Sequence, residues 1–468
     1  VVCKQGMVPE GISPDRNGWS EQFLTKLGVP ELAEDHFRRL GGLPGVTGRY
    51  TTTGETIGPL TATAAKQLGL TTNCYVGSGV IDAYAGWIGT VAASTESPVP
   101  SLQEQDANKS GIAKASGRLA AIAGTSTCHI CLDEKSIFVP GVWGPYRDVI
   151  GKGFWCAEGG QSCTGALLAH VLSSHPAYAE LGTAADASNV SKFDFLNSRL
   201  EALKKSSGER SVVALAKNMF FYGDFHGNRS PIADPNMRAA IIGQSMDISL
   251  DSLAIEYLAA CEFIGQQTRQ IVERMEQSGY KIQAIFMSGG QCRNGLLMRL
   301  LADCTGLPIV IPRYIDASVV FGAAMLGAVA AQDAVANEGL PEPSSLAAKR
   351  SLLADEQAMP PSPYTAPSAT ASSTSISALN ANSAKAYPFP EMTPLAKKSG
   401  KEDEADDKDG DALSFTAKSS SKSSSNSSST SQLAKESTSD KLWRVMRQMS
   451  GAGKVIFPQS ENDPDRKL

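Results

Sequence analysis

The stretch Ala284-Ile-Phe-Met-Ser-Gly-Gly-Gln-Cys-Arg-Asn-Gly-Leu-Leu-Met-Arg-Leu-Leu-Ala-Asp-Cys-Thr-Gly-Leu-Pro-Ile-Val-Ile311 reads as strand, glycine turn, helix, strand. Ala284 to Met287 is a short apolar run of the kind buried inside a sheet. Gly289 and Gly290 permit positive φ and a close approach of backbone to a ligand. Asn294 stands where a helix begins, and Leu296, Leu297, Leu300 and Leu301 give that helix an apolar stripe. Gly306 stops it, and Pro308 to Ile311 reads as a second buried strand. A glycine pair between a strand and a helix start bares backbone N–H groups, which suits an anionic or polar ligand. The same glycines would also serve a plain tight turn, and local chemistry does not separate the two.

Upstream, apolar positions Leu253, Tyr257, Cys261, Ile264, Thr268, Ile271 and Met275 step by three and four and end at Gly279, predicting a long amphipathic helix that leads into the first strand. Downstream, Phe321 to Ala331 is rich in Ala and Gly and is read as a closely packed helix. It is too short for the ~20 apolar residues that span a bilayer. Leu119 to Ala123 and Thr127 to Leu132 form a hairpin-like pair of strands around Gly124-Thr125-Ser126, a turn whose hydroxyls and N–H groups suit phosphate oxygens or any hairpin. Cys74 to Ile81 reads as a strand running into Asp82. That carboxylate is either the cap of a helix, stabilising it by about 1 kcal/mol, or a ligand-facing group at the sheet's carboxyl edge.

Other segments read less sharply. Residues 95–116 are taken as a polar loop. Phe154 to Gly165, with Glu158 ahead of two glycines, reads as a loop facing ligand, and Phe225 to Pro235 as a surface loop. Cys128-His-Ile-Cys131 has metal-like spacing but lacks the second pair a zinc site needs, so it is read as strand. Gly451-Ala-Gly-Lys454 lacks the spacing of a Walker A loop and is read as a helix stop after the amphipathic Lys441 to Met449.

The bulk properties exclude several classes. A net charge of -5 over 468 residues offers no basic field for nucleic acid or an anionic membrane. The nine cysteines are scattered and odd in number, which fits a reducing cytoplasmic setting. From about 341 to 440 the chain is rich in Ser, Pro, Ala and Thr, and such a segment buries too little apolar surface to offset chain entropy, so it is expected to be disordered.

Five of these pieces occur in one order: Gly79-Val-Ile-Asp82-Ala-Tyr-Ala-Gly86, Gly124-Thr-Ser126, Glu158-Gly-Gly-Gln-Ser162, His226-Gly-Asn-Arg-Ser-Pro231 and Gly289-Gly-Gln-Cys-Arg-Asn294. In that order they resemble the FGGY carbohydrate kinases, and within them the pentulose kinases of the D-ribulokinase type. The resemblance implies an α/β, actin-like ATPase fold of RNase H type, a mixed sheet flanked by helices. It divides the chain into 1–90, the tail of a first kinase domain; 91–338, the C-terminal kinase domain; 339–440, the disordered insertion; and 441–468, a C-terminal helical tail. It implies ATP and Mg²⁺, and a small sugar as substrate, with D-ribulose an example. Asp82 then matches the catalytic base, which also touches the sugar. Lys4 and Glu158 match positions that touch the ketose, Gly124, Thr125 and Ser126 a phosphate loop, and Gly289, Gly290 and Asn294 the adenosine motif. No metal ligand is implied among these residues. The family's opening Asp-x-Gly-Thr loop does not occur in this sequence. That motivates the alternative of a catalytically inactive nucleotide-binding or regulatory remnant. Oligomeric state is not legible.

Overall fold

A computed structural model describes residues 19–42, 46, 51–336 and 436–460. Lys4 and most of the Ser/Pro-rich stretch lie outside these residues.

Eight strands build the central sheet: β1 (Ser94–Thr95), β2 (Arg118–Ala123), β3 (Thr127–Asp133), β4 (Trp143–Arg147), β5 (Trp155–Gln161), β6 (Ala284–Ser288), β7 (Ile309–Ile311) and β8 (Ala452–Ile456). Their spatial order is β1-β8-β7-β6-β2-β3-β5-β4. β6 lies between β2 and β7 and is parallel to both, with Ile285 opposite Leu119 and Ile309. On the far side of β2 the chain meanders antiparallel through β3, β5 and β4. A three-strand meander (β2, β3, β5) extended by two parallel strands (β6, β7) is the RNase H-like sheet of the actin-like ATPase fold, as expected.

Side chains on a strand alternate between faces, and this sheet is apolar on both. Leu119, Ala121, Ile285 and Met287 join one core, with helices α2 (Gly165–Ser174), α3 (Lys192–Ser207), α4 (Leu250–Gln277) and α5 (Gly295–Thr305). Ala120, Ile130, Ala284 and Phe286 join the other, with α1 (Asp82–Ile88), α6 (Ser318–Ala336) and α7 (Thr438–Met449). The alternation also disposes of the metal reading at Cys128 and Cys131. Three apart on β3, they face opposite sides: Cys131 is in the first core and Cys128 lies against the second. Arg118 is buried at the start of β2, where it pairs with Asp106 at 2.6 Å and lies over the Phe286 and Trp443 rings.

Several expectations are corrected. The strand expected over Cys74 to Ile81 is shorter, Tyr75–Gly77, pairing only with Thr56–Pro59. Ser78 follows its end, with its N–H on the Glu55 carbonyl at 2.9 Å and its hydroxyl on the Thr52 carbonyl at 2.6 Å. The loop expected over 95–116 contains the helix Pro100–Asn108, begun by Pro at its first turn. Trp155–Gln161, read as a loop, is the strand β5, paired residue by residue with β3. α7 begins at Thr438, capped by Ser437, inside the stretch assigned to the insertion. Gly451, at φ 65°, does stop α7, but the chain then continues as β8 rather than as a helical tail. β8 pairs antiparallel with β7 and parallel with β1.

The Ala- and Gly-rich α6 crosses α1 at close range. A Cβ on Gly322 would stand 1.9 Å from the Ala85 carbonyl oxygen, and one on Gly89 2.1 Å from that of Ser318. Gly327, on the same helix, has nothing within 4 Å. Gly322→Ala is therefore expected to lower stability by roughly 1–3 kcal/mol through overpacking. Gly327→Ala should raise it by about 0.5–1 kcal/mol, since only helix propensity changes. Urea midpoints of the two variants, read at constant slope, check the contrast.

Candidate functional site

β2 and β6 run parallel and end at the same level, with Ser288 opposite Ile122. The two turns that follow them therefore emerge side by side at the sheet's carboxyl edge, where α/β folds place ligands. The first is 124–126, closed by a bond from Gly124 N–H to the Ser126 carbonyl at 2.9 Å. The second begins at Gly289, whose φ of 101° lies in the glycine region. A Cβ at Gly289 would stand 2.0 Å from the Ala123 carbonyl oxygen, so only glycine allows this approach.

Gln291, which the sequence reading passed over, fastens the turns together. Its Nε2 donates to the Gly124 carbonyl and to Thr164 Oγ1, both at 2.7 Å. Thr164 in turn shares a 2.8 Å bond with Thr127 Oγ1. The start of α2 is tied to the same place, with Thr164 N–H and Ala166 N–H donating to the Thr125 carbonyl at 3.0 and 3.1 Å. Gly124, Thr125 and Gly290 are exposed at this edge, with Ser126 and Gly289 half-buried. An added Cβ at Gly124 would meet nothing within 4 Å, and at Gly290 only Arg293 Nη1 at 3.9 Å. These bare backbones leave room for a bulky polar ligand.

Asn294 is buried rather than displayed. Its Oδ1 accepts from Leu297 N–H at 3.3 Å, capping α5, and from Asn197 Nδ2 at 3.2 Å. Its Nδ2 donates to Tyr257 Oη at 2.7 Å, and that hydroxyl donates to Asn197 Oδ1 at 3.0 Å. The three side chains close a ring of hydrogen bonds. Asn294 thus acts on the glycine turn by anchoring the helix behind it.

Asp82 is exposed and is the first residue of α1, not its cap. The cap position is Ile81, whose side chain cannot accept, and the Asp82 carboxylate instead receives the N–H of Ala83 at 2.7 Å. α1 lies on β2, Gly86 fitting against Ile122. Two residues beyond Asp82, Tyr84 reaches the surroundings of Cys156 and Glu158, and burial, followed by these two neighbours, pushes its hydroxyl pKa far up.

Glu158 sits on β5 on that same face. It pairs with Arg229 at 2.9 Å, both side chains largely buried. Arg229 belongs to the segment read as a surface loop, yet Asp224, Asn228 and Ser230 are buried. Asp224 holds that loop by accepting from Gln267 Nε2 at 2.9 Å, Tyr222 Oη at 2.6 Å and Asn228 Nδ2 at 2.8 Å. His226, Ile232, Ala233 and Pro235 are the exposed residues of the loop. His129, on β3, is buried, and burial together with the Arg229 charge lowers its pKa from 6.5 to about 3. No local signal in the sequence joins the two, since 71 positions separate them.

Among the described residues, no three of His, Cys, Asp and Glu group to hold a metal ion, and no helix is long and apolar enough to cross a membrane.

Residues 119–331 match the FGGY family of carbohydrate kinases, C-terminal domain. A D-ribulokinase of Saccharomyces cerevisiae is 62% identical over 333 residues, 71% of this chain and 47% of the relative. FGGY carbohydrate kinase domain-containing proteins of Xenopus laevis and Homo sapiens are 40% and 38% identical over 68% and 71% of this chain, and 54% and 56% of their own lengths. The chain spans about half the length of the curated relatives it matches.

Asn294→Ala removes a cap and leaves the Tyr257 and Asn197 groups short of partners, so a loss of about 2 kcal/mol is expected in equilibrium unfolding. His129 binds a proton more readily unfolded than folded. Its contribution is complete above pH 6.5 and is lost as pH falls toward about 3, by up to about 1.4 kcal/mol per pH unit. His129→Gln should flatten this acid limb of the stability profile.

Proposed function

We propose, for a chain that belongs through residues 119–331 to the FGGY family of carbohydrate kinases, that it takes part in ATP-dependent phosphorylation of a sugar hydroxyl, the acceptor being a ketopentose such as D-ribulose. The observation that carries this reading is the placing of an exposed carboxylate, Asp82, at the start of a helix that lies on the Glu158 face of the sheet. The glycine turns 124–126 and 289–291 stand at the carboxyl edge of the same sheet. The 62% identity to a D-ribulokinase supports a ketopentose in particular.

In this reading each group has a definite task. Asp82 accepts the proton of the attacking hydroxyl and aligns its oxygen. Its carboxylate is tethered by one backbone N–H at 2.7 Å, which orients it without burying it. Glu158 and Lys4 bind the ketose. Gly124, Thr125 and Ser126 offer hydroxyls and N–H groups to phosphate oxygens. Gly289 and Gly290 receive the adenosine end, with Asn294 holding the helix behind them. Phosphoryl transfer passes through a loose transition state, so alignment and charge stabilisation are what such groups can contribute. Mg²⁺ would neutralise phosphate charge; it would arrive on the ATP phosphates and take most of its coordination from them and from water, and no protein ligand is assigned to it. The N-terminal half of the longer relatives would complete the cleft.

ADP release by the purified chain with ATP, Mg²⁺ and D-ribulose, against a control without sugar, tests the reading. Sugar-dependent turnover is expected, and Asp82→Asn should lower kcat by about 10²–10⁴ with ATP affinity kept. An Asp82→Asn protein that works at the parent rate would exclude Asp82 as base. No turnover with ATP still bound would favour the second reading, a nucleotide-binding or regulatory remnant.

A further inference from the structure

We propose that Arg229 is a positioning residue for sugar recognition, acting through Glu158. The inference rests on the reading above that Glu158 touches the ketose, and adds what makes that carboxylate selective.

Arg229 is built into the sheet face rather than laid across it. Its Nη2 donates to Glu158 Oε1 at 2.9 Å. The guanidinium lies 4.4 Å from the centre of the Trp143 ring, which covers it on one side. Gly160, two residues along β5 on the same face as Glu158, supplies the space: a Cβ there would stand 2.9 Å from Arg229 Nε and 3.0 Å from its Cζ. Cys128 Sγ is 3.7 Å from Nη2, and burial pushes that thiol's pKa up, so it stays neutral beside the pair. The backbone that delivers Arg229 is fixed as well, because Asn228 Oδ1 accepts from Ile232 N–H at 2.9 Å while its Nδ2 is held by Asp224.

The consequence for Glu158 is geometric. A carboxylate on a strand can swing about its last torsions, and a fixed guanidinium on one oxygen removes that freedom. The remaining accepting direction is then set before the sugar arrives, on the face that carries α1 and Asp82. Ketoses that differ in the direction of one hydroxyl are separated by such a preset acceptor and not by a mobile one. Arg229 itself need not touch the sugar.

Four proteins test this: Arg229→Met, Arg229→Lys, Glu158→Gln, and the Arg229→Met/Glu158→Gln double variant. For each, D-ribulose and ATP affinities are measured by calorimetry on the same chain, with KM and kcat where turnover is seen. Arg229→Met is expected to weaken D-ribulose about tenfold while ATP changes less than about twofold, and Arg229→Lys to recover part of the loss. In the double variant, loss of Arg229 should add less than about twofold to Glu158→Gln, because its partner is gone. Should Arg229→Met leave a carboxylate unpaired and fail to unfold cooperatively, the Lys and double variants carry the test. Unchanged sugar affinity in the Arg229 variants, with Glu158→Gln impaired, would overturn the positioning role and leave the Glu158 reading standing. Equal losses for sugar and ATP would reduce Arg229 to a structural residue and overturn it too. Unchanged affinity in Glu158→Gln, or no ketose binding by the parent chain, would remove the Glu158 reading and this inference with it.

Discussion

The parallel pairing of β2 with β6 sets the geometry of the candidate site. Each strand brings apolar residues to both faces, so two helical layers have something to cover, and neither strand could sit at the edge without exposing one of them. Because the pair is in register to its last residues, both strands release their turns at one level. Gly289 then comes close enough to the Ala123 carbonyl that no side chain fits, and Gln291 can reach Gly124. A slip of one residue would separate these turns and also reverse which side chains meet which helices.

What the sequence made legible follows from how local each signal is. Residues 284–311 were readable because an apolar run, a glycine pair, a cap and a glycine stop are each short-range and agree with one another. The Asn294 cap, the stop at Gly306 and the length of α4 are of this kind. β5 was not readable, because Glu158-Gly-Gly160 has the composition of a loop. Only the neighbours explain it: a Cβ on Gly159 would meet Ile271 of α4 at 3.0 Å, and one on Gly160 would meet Arg229. β8 was missed because its reason for being extended is the edge of β7, which lies some 140 positions earlier.

The site divides in the same way. Asp82, the 124–126 turn and the Gly289 turn could be singled out by residue type, each standing at a place where strand gives way to turn or helix. Gln291 and Arg229 could not, since a glutamine or arginine in a loop carries no meaning until its partner is located. The burial of Asp224, Asn228 and Ser230 shows the same limit, for a polar sequence looks solvated until its hydrogen bonds are traced.

α4 meets the Glu158 strand and the Arg229 loop at once. Gln161, three residues after Glu158, donates to the Ile264 carbonyl at 3.0 Å, and Gln267, one turn further along the helix, holds Asp224 at the root of the loop. Glu158 and Arg229 are therefore referenced to one rigid rod rather than to each other alone. A small shift of that rod carries strand and loop together and leaves the distance between acid and base nearly unchanged.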